Sequence, residues 1–199
     1  EQGSGHALTV PLLMKADGTK FGKTAGGSVW LDPEMTSPYA FFQFWLNSDD
    51  KDVINFLKVF SFKSHDEILE LEKSHNENPG LREAHRALAR ELTSLVHSEE
   101  TTQRVEAAAR ALFGQGELSE LDEATLASAL AELPRTTISA SEEIPTWVDL
   151  LAATGVVDSK SAARRIVKEG GAYLNNEKIS GEDFRPSKTD FLCGKYAVL

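Results

Sequence analysis

The sequence has a single cysteine, no long apolar run and no excess of basic side chains, and each absence excludes a class of protein. Cys193 alone cannot form an internal disulfide bond, and no Cys/His spacing resembles a zinc site. The longest apolar runs, such as Ala7 to Met14, are far shorter than the roughly 20 residues of a membrane-spanning helix. The first residues also lack the basic-then-apolar order of a signal peptide. We therefore expect a cytoplasmic protein without a membrane segment, which folds by hydrophobic burial and needs no metal.

Acidic side chains outnumber basic ones, but unevenly along the chain. Residues 1–145 carry 13 lysines and arginines against 24 acidic side chains, whereas residues 146–199 carry 8 against 7. The acidic majority argues against a general nucleic-acid coat. Any binding of a polyanion must therefore use local basic clusters, and the sequence has two of them, within 15–27 and 159–168.

Capping and turn residues predict a mostly helical chain with short β elements near both ends. The predicted helices begin at Ser37, Ser64, Pro79, Glu99, Asp122, Thr146 and Ser159. The predicted β elements are a buried strand over 7–14, a hairpin over 13–23 with an Asp17-Gly18 turn, a hairpin with an Asn175-Asn176 turn, and a closing strand over 195–199. Residues 134–145 begin and end with proline and are rich in Ser, Thr and Glu, so they are predicted to be a linker.

The first basic cluster is the segment KADGTKFGKTAGG, residues 15–27, which holds three lysines and four glycines. Ammonium groups and free backbone amides on a glycine-rich loop can approach phosphate oxygens without obstruction by side chains. Two interpretations of this segment remain open on spacing alone. It is either an ordinary surface hairpin or a mobile clamp for phosphates.

The second basic cluster follows the linker. Lys160, Arg164 and Lys168 recur every four residues and so share one helix face. Ser159 and the first backbone amides of this helix could also receive a phosphate. The alternative is a solvated helix face with no ligand. The order of a short helix, a capped basic helix, Gly-Gly and a hairpin over 146–199 resembles the small RNA-binding domain named after the S-four protein of the ribosomal small subunit.

Longer motifs extend the resemblance to one family. KFGKT, residues 20–24, resembles the lysine-lysine signature loop of class I aminoacyl-tRNA synthetases. Residues 7–47, which include WLDPEMTSPY, closely resemble bacterial tyrosyl-tRNA synthetases. The stretch FGQGELSELDE, residues 113–123, and the closing domain are similar to the helical and C-terminal domains of that family. The resemblance therefore covers nearly the whole chain.

The resemblance implies an α+β fold that is mostly α, in three domains. Residues 1–35 would be the remnant of a doubly wound catalytic domain and carry the signature loop. Residues 36–133 would form an all-helical anticodon-arm domain, and 134–145 the linker. Residues 146–199 would be a small α/β RNA-binding domain of the S-four type.

The resemblance also implies an activity and its residues. The family activates tyrosine with ATP and Mg²⁺ to tyrosyl-adenylate and transfers the tyrosine to tRNA(Tyr), as a homodimer. By position, Lys20 and Lys23 would stabilise charge on the β- and γ-phosphates, and Thr24 would donate a further hydrogen bond. Leu12 and Leu13 would lie beside the adenine. The expected contacts to RNA phosphates are Ser159, Lys160, Arg164, Arg165, Lys168 and Lys178.

One expected part of the family is missing from this sequence. The family builds its tyrosine pocket in a half that would precede Glu1, with a His-x-Gly-His signature that none of the five histidines forms. We therefore expect a C-terminal half that does not make adenylate alone. Two other functions remain open: a stand-alone, non-catalytic module that binds structured RNA, and an acidic helical scaffold that binds protein. His65 and His75 are expected to be surface residues rather than ligands.

Overall fold

Helices make up most of the chain. The computed structural model describes residues 5–10, 12–21, 28–114, 116–131, 133–138, 144–179 and 181–199. The helices are α1 (Pro38–Leu46), α2 (Val53–Phe60), α3 (His65–Glu77), α4 (Glu83–His97), α5 (Glu99–Leu112), α6 (Glu123–Leu130), α7 (Trp147–Ala153) and α8 (Lys160–Glu169). Within the described part, the only sheet pairs β1 (Tyr173–Leu174) with β2 (Glu177–Lys178). The prediction of a mostly helical chain is therefore confirmed.

The predicted capping residues begin the helices where the sequence indicated. The Ser64 hydroxyl accepts a hydrogen bond from Glu67 N at 3.3 Å, and Ser64 N donates to Glu67 Oε2 at 2.7 Å, which forms the expected capping box. Ser37, Asp122, Thr146 and Ser159 also cap their helices through the side chain. The helix predicted from Pro79 is divided, because Arg82 has φ 51° and separates a 3₁₀ turn, Pro79–Leu81, from α4.

Helix α2 was not predicted from the sequence, and its first residue explains why. Asp52 precedes the helix but makes no side-chain capping bond. Its Oδ1 instead accepts a hydrogen bond from Ala16 N at 2.6 Å, 36 positions away in the sequence. The side chain that would have marked the start of the helix therefore holds the opening segment.

Contacts divide the chain into two units, residues 1–102 and 103–199, with the boundary inside α5. In the first unit α1 packs along α4, and α2 and α3 also contact α4. Ala84, Leu88 and Leu92, which lie on one face of α4, are buried here. The aromatic residues Phe41, Phe42, Trp45 and Phe56 complete this core.

The buried strand predicted over 7–14 is wrong for the residues that the structure describes. Residues 7–10 and 12–13 have no strand pairing, and Leu8 remains 95% exposed. A strand needs a neighbour to satisfy its backbone, and of these residues only Leu13 has one in the described part, through Phe21 N, which donates to Leu13 O at 3.1 Å. The hairpin prediction is correct at its turn: Gly18 N donates to Lys15 O at 2.9 Å, and Met14 forms one antiparallel bridge with Lys20.

In the second unit, α7, α8 and the β1–β2 hairpin surround Trp147, which is fully buried. The predicted Asn-Asn turn is confirmed, because Asn175 and Asn176 have φ of 50° and 71°, as a two-residue hairpin requires. The closing strand predicted over 195–199 is wrong. The backbone of Val198 is hydrogen-bonded to Asn175 instead. Asn175 N donates to Val198 O at 2.9 Å, and Val198 N donates to Asn175 Oδ1 at 2.9 Å.

The hairpin turn also joins the helical part of the second unit. Asn176 Nδ2 donates to the carbonyl oxygen of Ala111, at the end of α5, at 2.6 Å. Lys195 forms an ion pair with Glu123 at the start of α6. The segment 144–199 is thus held against residues of α5 and α6 by polar contacts.

Candidate nucleic-acid interface

The basic face predicted from spacing exists on α8. Lys160, Arg164 and Lys168 are exposed, and they occupy successive turns of the helix. The opposite face, with Ala163 and Val167, is buried in the core of the second unit. Burial of this apolar face orients the helix, so the three cations point away from the core.

Each cation of this face is paired with a carboxylate that the sequence analysis did not identify. Lys160 Nζ lies 2.7 Å from Asp149 Oδ1. Arg164 Nε lies 3.5 Å and Lys168 Nζ 3.0 Å from the two carboxylate oxygens of Glu182. Because Asp149 belongs to α7 and Glu182 follows β2, only the folded arrangement brings them to α8.

Two other predicted RNA contacts differ from these three. Arg165 and Lys178 are exposed, and the described part of the structure gives them no ion pair. The Lys178 ammonium lies over Gly170, the residue that ends α8 with φ 74°: a Cβ at that position would be 2.4 Å from Lys178 Nζ. The hairpin thus brings Lys178 beside the carboxyl end of the basic helix.

Ser159 has a structural role in addition to its predicted one. Its hydroxyl oxygen accepts a hydrogen bond from Ala162 N at 3.2 Å and caps α8. The hydroxyl hydrogen is free of that bond, so a phosphate contact and the cap are compatible.

The predicted phosphate clamp is only partly described. Lys20 is exposed and bridges to Met14, whereas Lys23 and Thr24 lie outside the described residues. Phe21, which follows Lys20, packs against Trp45 with a ring-centroid distance of 5.6 Å and against Phe56 at 5.1 Å. The start of the signature loop is therefore anchored on α1 and α2. Leu12 is 61% exposed and Leu13 is partly buried.

A second polar cluster lies at the turn between α1 and α2. Asp50, His75 and His85 each offer one oxygen or nitrogen atom that could ligate a metal ion, and these atoms lie within 4.8 Å of one another. His75 Nε2 is 3.0 Å from Asp50 O, and His85 Nε2 is 3.1 Å from Ser48 O. Arg82 NH2 donates to Leu46 O at 2.6 Å, and its NH1 lies 3.7 Å from Asp50 Oδ1. These side chains contact every second carbonyl from the last residue of α1 into the turn, so we interpret the cluster as a clamp on that turn.

The clamp corrects the expectation for His75, and it contains His85, which was not identified from the sequence. His75, expected on the surface, is partly buried, and His85 is fully buried. Burial and the nearby Arg82 guanidinium lower the pKa of His85, against the opposing effects of Asp50 and Ser48.

No helix in the described ranges is both long and apolar enough to cross a bilayer.

Comparisons with known proteins match two families along this chain. The family described as tRNA synthetases class I (W and Y) matches residues 3–114, and the tyrosine–tRNA ligase SYY-like C-terminal domain matches residues 125–199. The tyrosine–tRNA ligase of Streptomyces avermitilis is 62% identical over 194 residues, which are 98% of this chain and 45% of that protein. That of Thermobifida fusca is 57% identical over 198 residues, 99% of this chain and 46% of that protein.

One solved structure is also similar. A C-terminally truncated mitochondrial tyrosyl-tRNA synthetase from Coccidioides posadasii has a TM-score of 0.42 and 37% identity, over 49% of this chain and 25% of that one.

The chain belongs to the class I tRNA synthetases of the tryptophan and tyrosine type. Within that class, its C-terminal domain and its curated relatives are those of tyrosine–tRNA ligases. The chain spans about half the length of the relatives it matches, 45% in the case of Streptomyces avermitilis.

Proposed function

We propose that this chain is the tRNA-recognition half of a tyrosine–tRNA ligase and also supplies its triphosphate-binding loop. The intact enzyme, a cytoplasmic homodimer, would activate tyrosine with ATP to tyrosyl-adenylate and transfer the tyrosine to tRNA(Tyr). The observation that carries the proposal is the exposed basic face of α8, inside a domain that matches the C-terminal domain of these ligases.

The proposal assigns a task to each part of the chain. Residues 1–35 end a class I catalytic domain, residues 36–133 form an anticodon-arm domain, 134–145 are a linker, and 146–199 are an RNA-binding domain of the S-four type. The charge distribution supports this order, because the acidic excess lies in residues 1–145 and the closing domain is nearly neutral with a concentrated basic face.

RNA binding would rest on the closing domain. Cations on one helix face neutralise successive backbone phosphates, and this releases counterions and makes affinity depend on salt. The proposed contacts are Ser159, Lys160, Arg164, Arg165, Lys168 and Lys178. All six are exposed.

Activation of tyrosine would use the opening segment. The exposed Lys20 ammonium, next to the anchored Phe21, fits a group presented to phosphate oxygens. Mg²⁺ bound with ATP would neutralise part of the triphosphate charge. Lys20 and Lys23 would act on the charge that develops on the phosphates, where loss of one well-placed donor costs about 10²–10³ in rate. Thr24, Leu12 and Leu13 would complete the nucleotide site.

The decisive experiment measures binding of this chain to a tyrosine tRNA and to a tRNA without a long variable arm, across a salt series. We expect preferential, salt-sensitive binding of the tyrosine tRNA. The double variant Arg164→Ala/Lys168→Ala should bind more weakly and with a shallower salt slope, because two phosphate contacts are lost. Lys58→Ala/Lys73→Ala, at two exposed lysines on α2 and α3 that also form ion pairs, is the charge-matched control.

Two outcomes of this experiment would count against the proposal. Equal affinity of the chain for both tRNAs would contradict tyrosine-tRNA recognition by these residues. An unchanged slope in the double variant would remove α8 from the interface.

A further inference from the structure

The basic face of α8 is already occupied by carboxylates of the same domain. Glu182 contacts both Arg164 and Lys168, which lie one turn apart, and Asp149 contacts Lys160. The Glu182 side chain is 33% exposed, less than the 52% of Arg164 and the 71% of Lys168. Glu182 is therefore less exposed than the two cations it contacts, and both cations keep surface that an incoming ligand can reach.

Asp149 is held in its pairing position by a second bond. Its Oδ2 accepts a hydrogen bond from Thr146 Oγ1 at 2.8 Å, while Oδ1 faces Lys160. Hydrogen bonds from Lys160 and then Thr146 lower the pKa of Asp149, so this carboxylate stays charged at neutral pH. Both carboxylates thus present oxygen atoms to the cations in the way that phosphate oxygens would.

We propose that Asp149 and Glu182 are intramolecular competitors of RNA, which occupy the cations of α8 until backbone phosphates replace them. The inference rests on the proposed function and deepens it. Exposed ion pairs are individually weak, so a ligand that makes several phosphate contacts together can displace them. A ligand with one or two phosphates, such as a mononucleotide, gains too little to do so. The competitors would therefore restrict this surface to a folded RNA backbone.

The competitors also affect the dependence of binding on salt. The ion pairs of Asp149 and Glu182 are exposed, so salt screens them as well as the contacts to RNA. Competition for the cations therefore weakens as salt rises, and the wild-type chain has a shallower slope than its number of contacts predicts. Arg165 and Lys178, which have no ion pair in the described part, make their phosphate contacts without this competition.

The test compares two substitutions that change the net charge equally. Glu182→Gln removes the competitor, whereas Glu177→Gln removes an exposed carboxylate on β2 for which the described residues give no ion pair. Binding of the full chain to a tyrosine tRNA transcript is measured across a salt series, with thermal unfolding to verify the fold. Asp149→Asn provides a second variant, at the other end of the face.

Glu182→Gln should tighten binding about three-fold more than Glu177→Gln does, and it should steepen the salt slope because screening no longer relieves a competitor. Asp149→Asn should act in the same direction. Equal effects of Glu182→Gln and Glu177→Gln on affinity would overturn the inference, because the change in affinity would then follow from net charge alone. Weaker binding by Glu182→Gln would also overturn it and would make Glu182 a positioning residue. In both cases the wild-type chain still prefers the tyrosine tRNA, whereas failure of the proposed function would remove that preference from the wild-type chain itself.

Discussion

At the scale of single residues, His85 combines complete burial with polar contacts to a turn of the chain. Its Nε2 lies 3.1 Å from Ser48 O and 3.2 Å from Asp50 Oδ1, and its Nδ1 is buried with no hydrogen-bond partner among the described residues. Burial also lowers the pKa of His97, whose ring packs edge-on against Phe41. Both histidines are therefore stable in the fold as neutral side chains.

These lowered pKa values predict that the free energy of unfolding falls in mild acid. Below a pH of about 6.5 the histidines of the unfolded chain are protonated, whereas His85 and His97 of the folded chain remain neutral. The free energy of unfolding therefore decreases as pH falls from that value toward the lowered pKa values of the two folded histidines. Denaturant unfolding at pH 7.5 and 5.5 measures the loss. His85→Gln should reduce the difference between the two pH values, whereas His65→Gln, at an exposed position, should leave it unchanged. A wild-type chain equally stable at both pH values would contradict the prediction.

At the scale of elements, α8 shows how one residue can have a structural and a binding role. Ser159 caps the helix through its hydroxyl oxygen. The RNA contacts that we propose begin at the same helix end. Gly170 ends the helix in the left-handed conformation, and Lys178 reaches over it from the hairpin. The short helix is therefore fixed at both ends, and its basic face is held in one orientation.

Two substitutions at Ser159 separate these roles. Ser159→Ala should lower the free energy of unfolding by about 1 kcal/mol through loss of the cap. Ser159→Asp preserves the cap but adds a negative charge, so it should retain stability and weaken binding to tyrosine tRNA. Ser64→Asp, at the cap of α3, adds the same charge to an acidic helix and serves as the control. If Ser159→Asp and Ser64→Asp bind the tRNA equally well, Ser159 does not lie at the RNA interface.

At the scale of the whole molecule, the chain has two units, each with its own buried core. Leu88 has no exposed surface in the first unit, and Trp147 has none in the second. Truncation of a large buried side chain costs the transfer free energy of the lost atoms and leaves a cavity. The effect of such a change should therefore be concentrated in the unit that contains it.

Residue-resolved hydrogen exchange can test this independence. Leu88→Ala should destabilise the first unit by about 2–5 kcal/mol and Trp147→Ala the second by about 3–5 kcal/mol. Each variant should lose amide protection mainly within 1–102 or within 103–199, respectively. Uniform loss of protection along the chain in both variants would show instead that the two units unfold as one.

Local chemistry made much of the fold predictable. Ser64 with Glu67, Thr146, Ser159 and the Asn175-Asn176 turn act through bonds to residues a few positions away, so the sequence contains the whole interaction. Helix α2 and the opening strand were misjudged because their determinants are distant. Asp52 binds Ala16 instead of capping α2, and the predicted strand depends on a neighbour absent from the described part.

The amino-acid sequence by itself determined the family, the helix starts marked by capping residues and the basic face of α8, since spacing and caps are properties of consecutive residues. Only the tertiary structure decided which carboxylates form ion pairs with that face. Asp149 and Glu182 are separated from their cations by 11 to 18 positions, and the clamp formed by Arg82 and His85 reaches across 36 or 37 positions to its carbonyls. Such pairings arise because packing of apolar faces brings distant segments together, and the charges on those segments then interact.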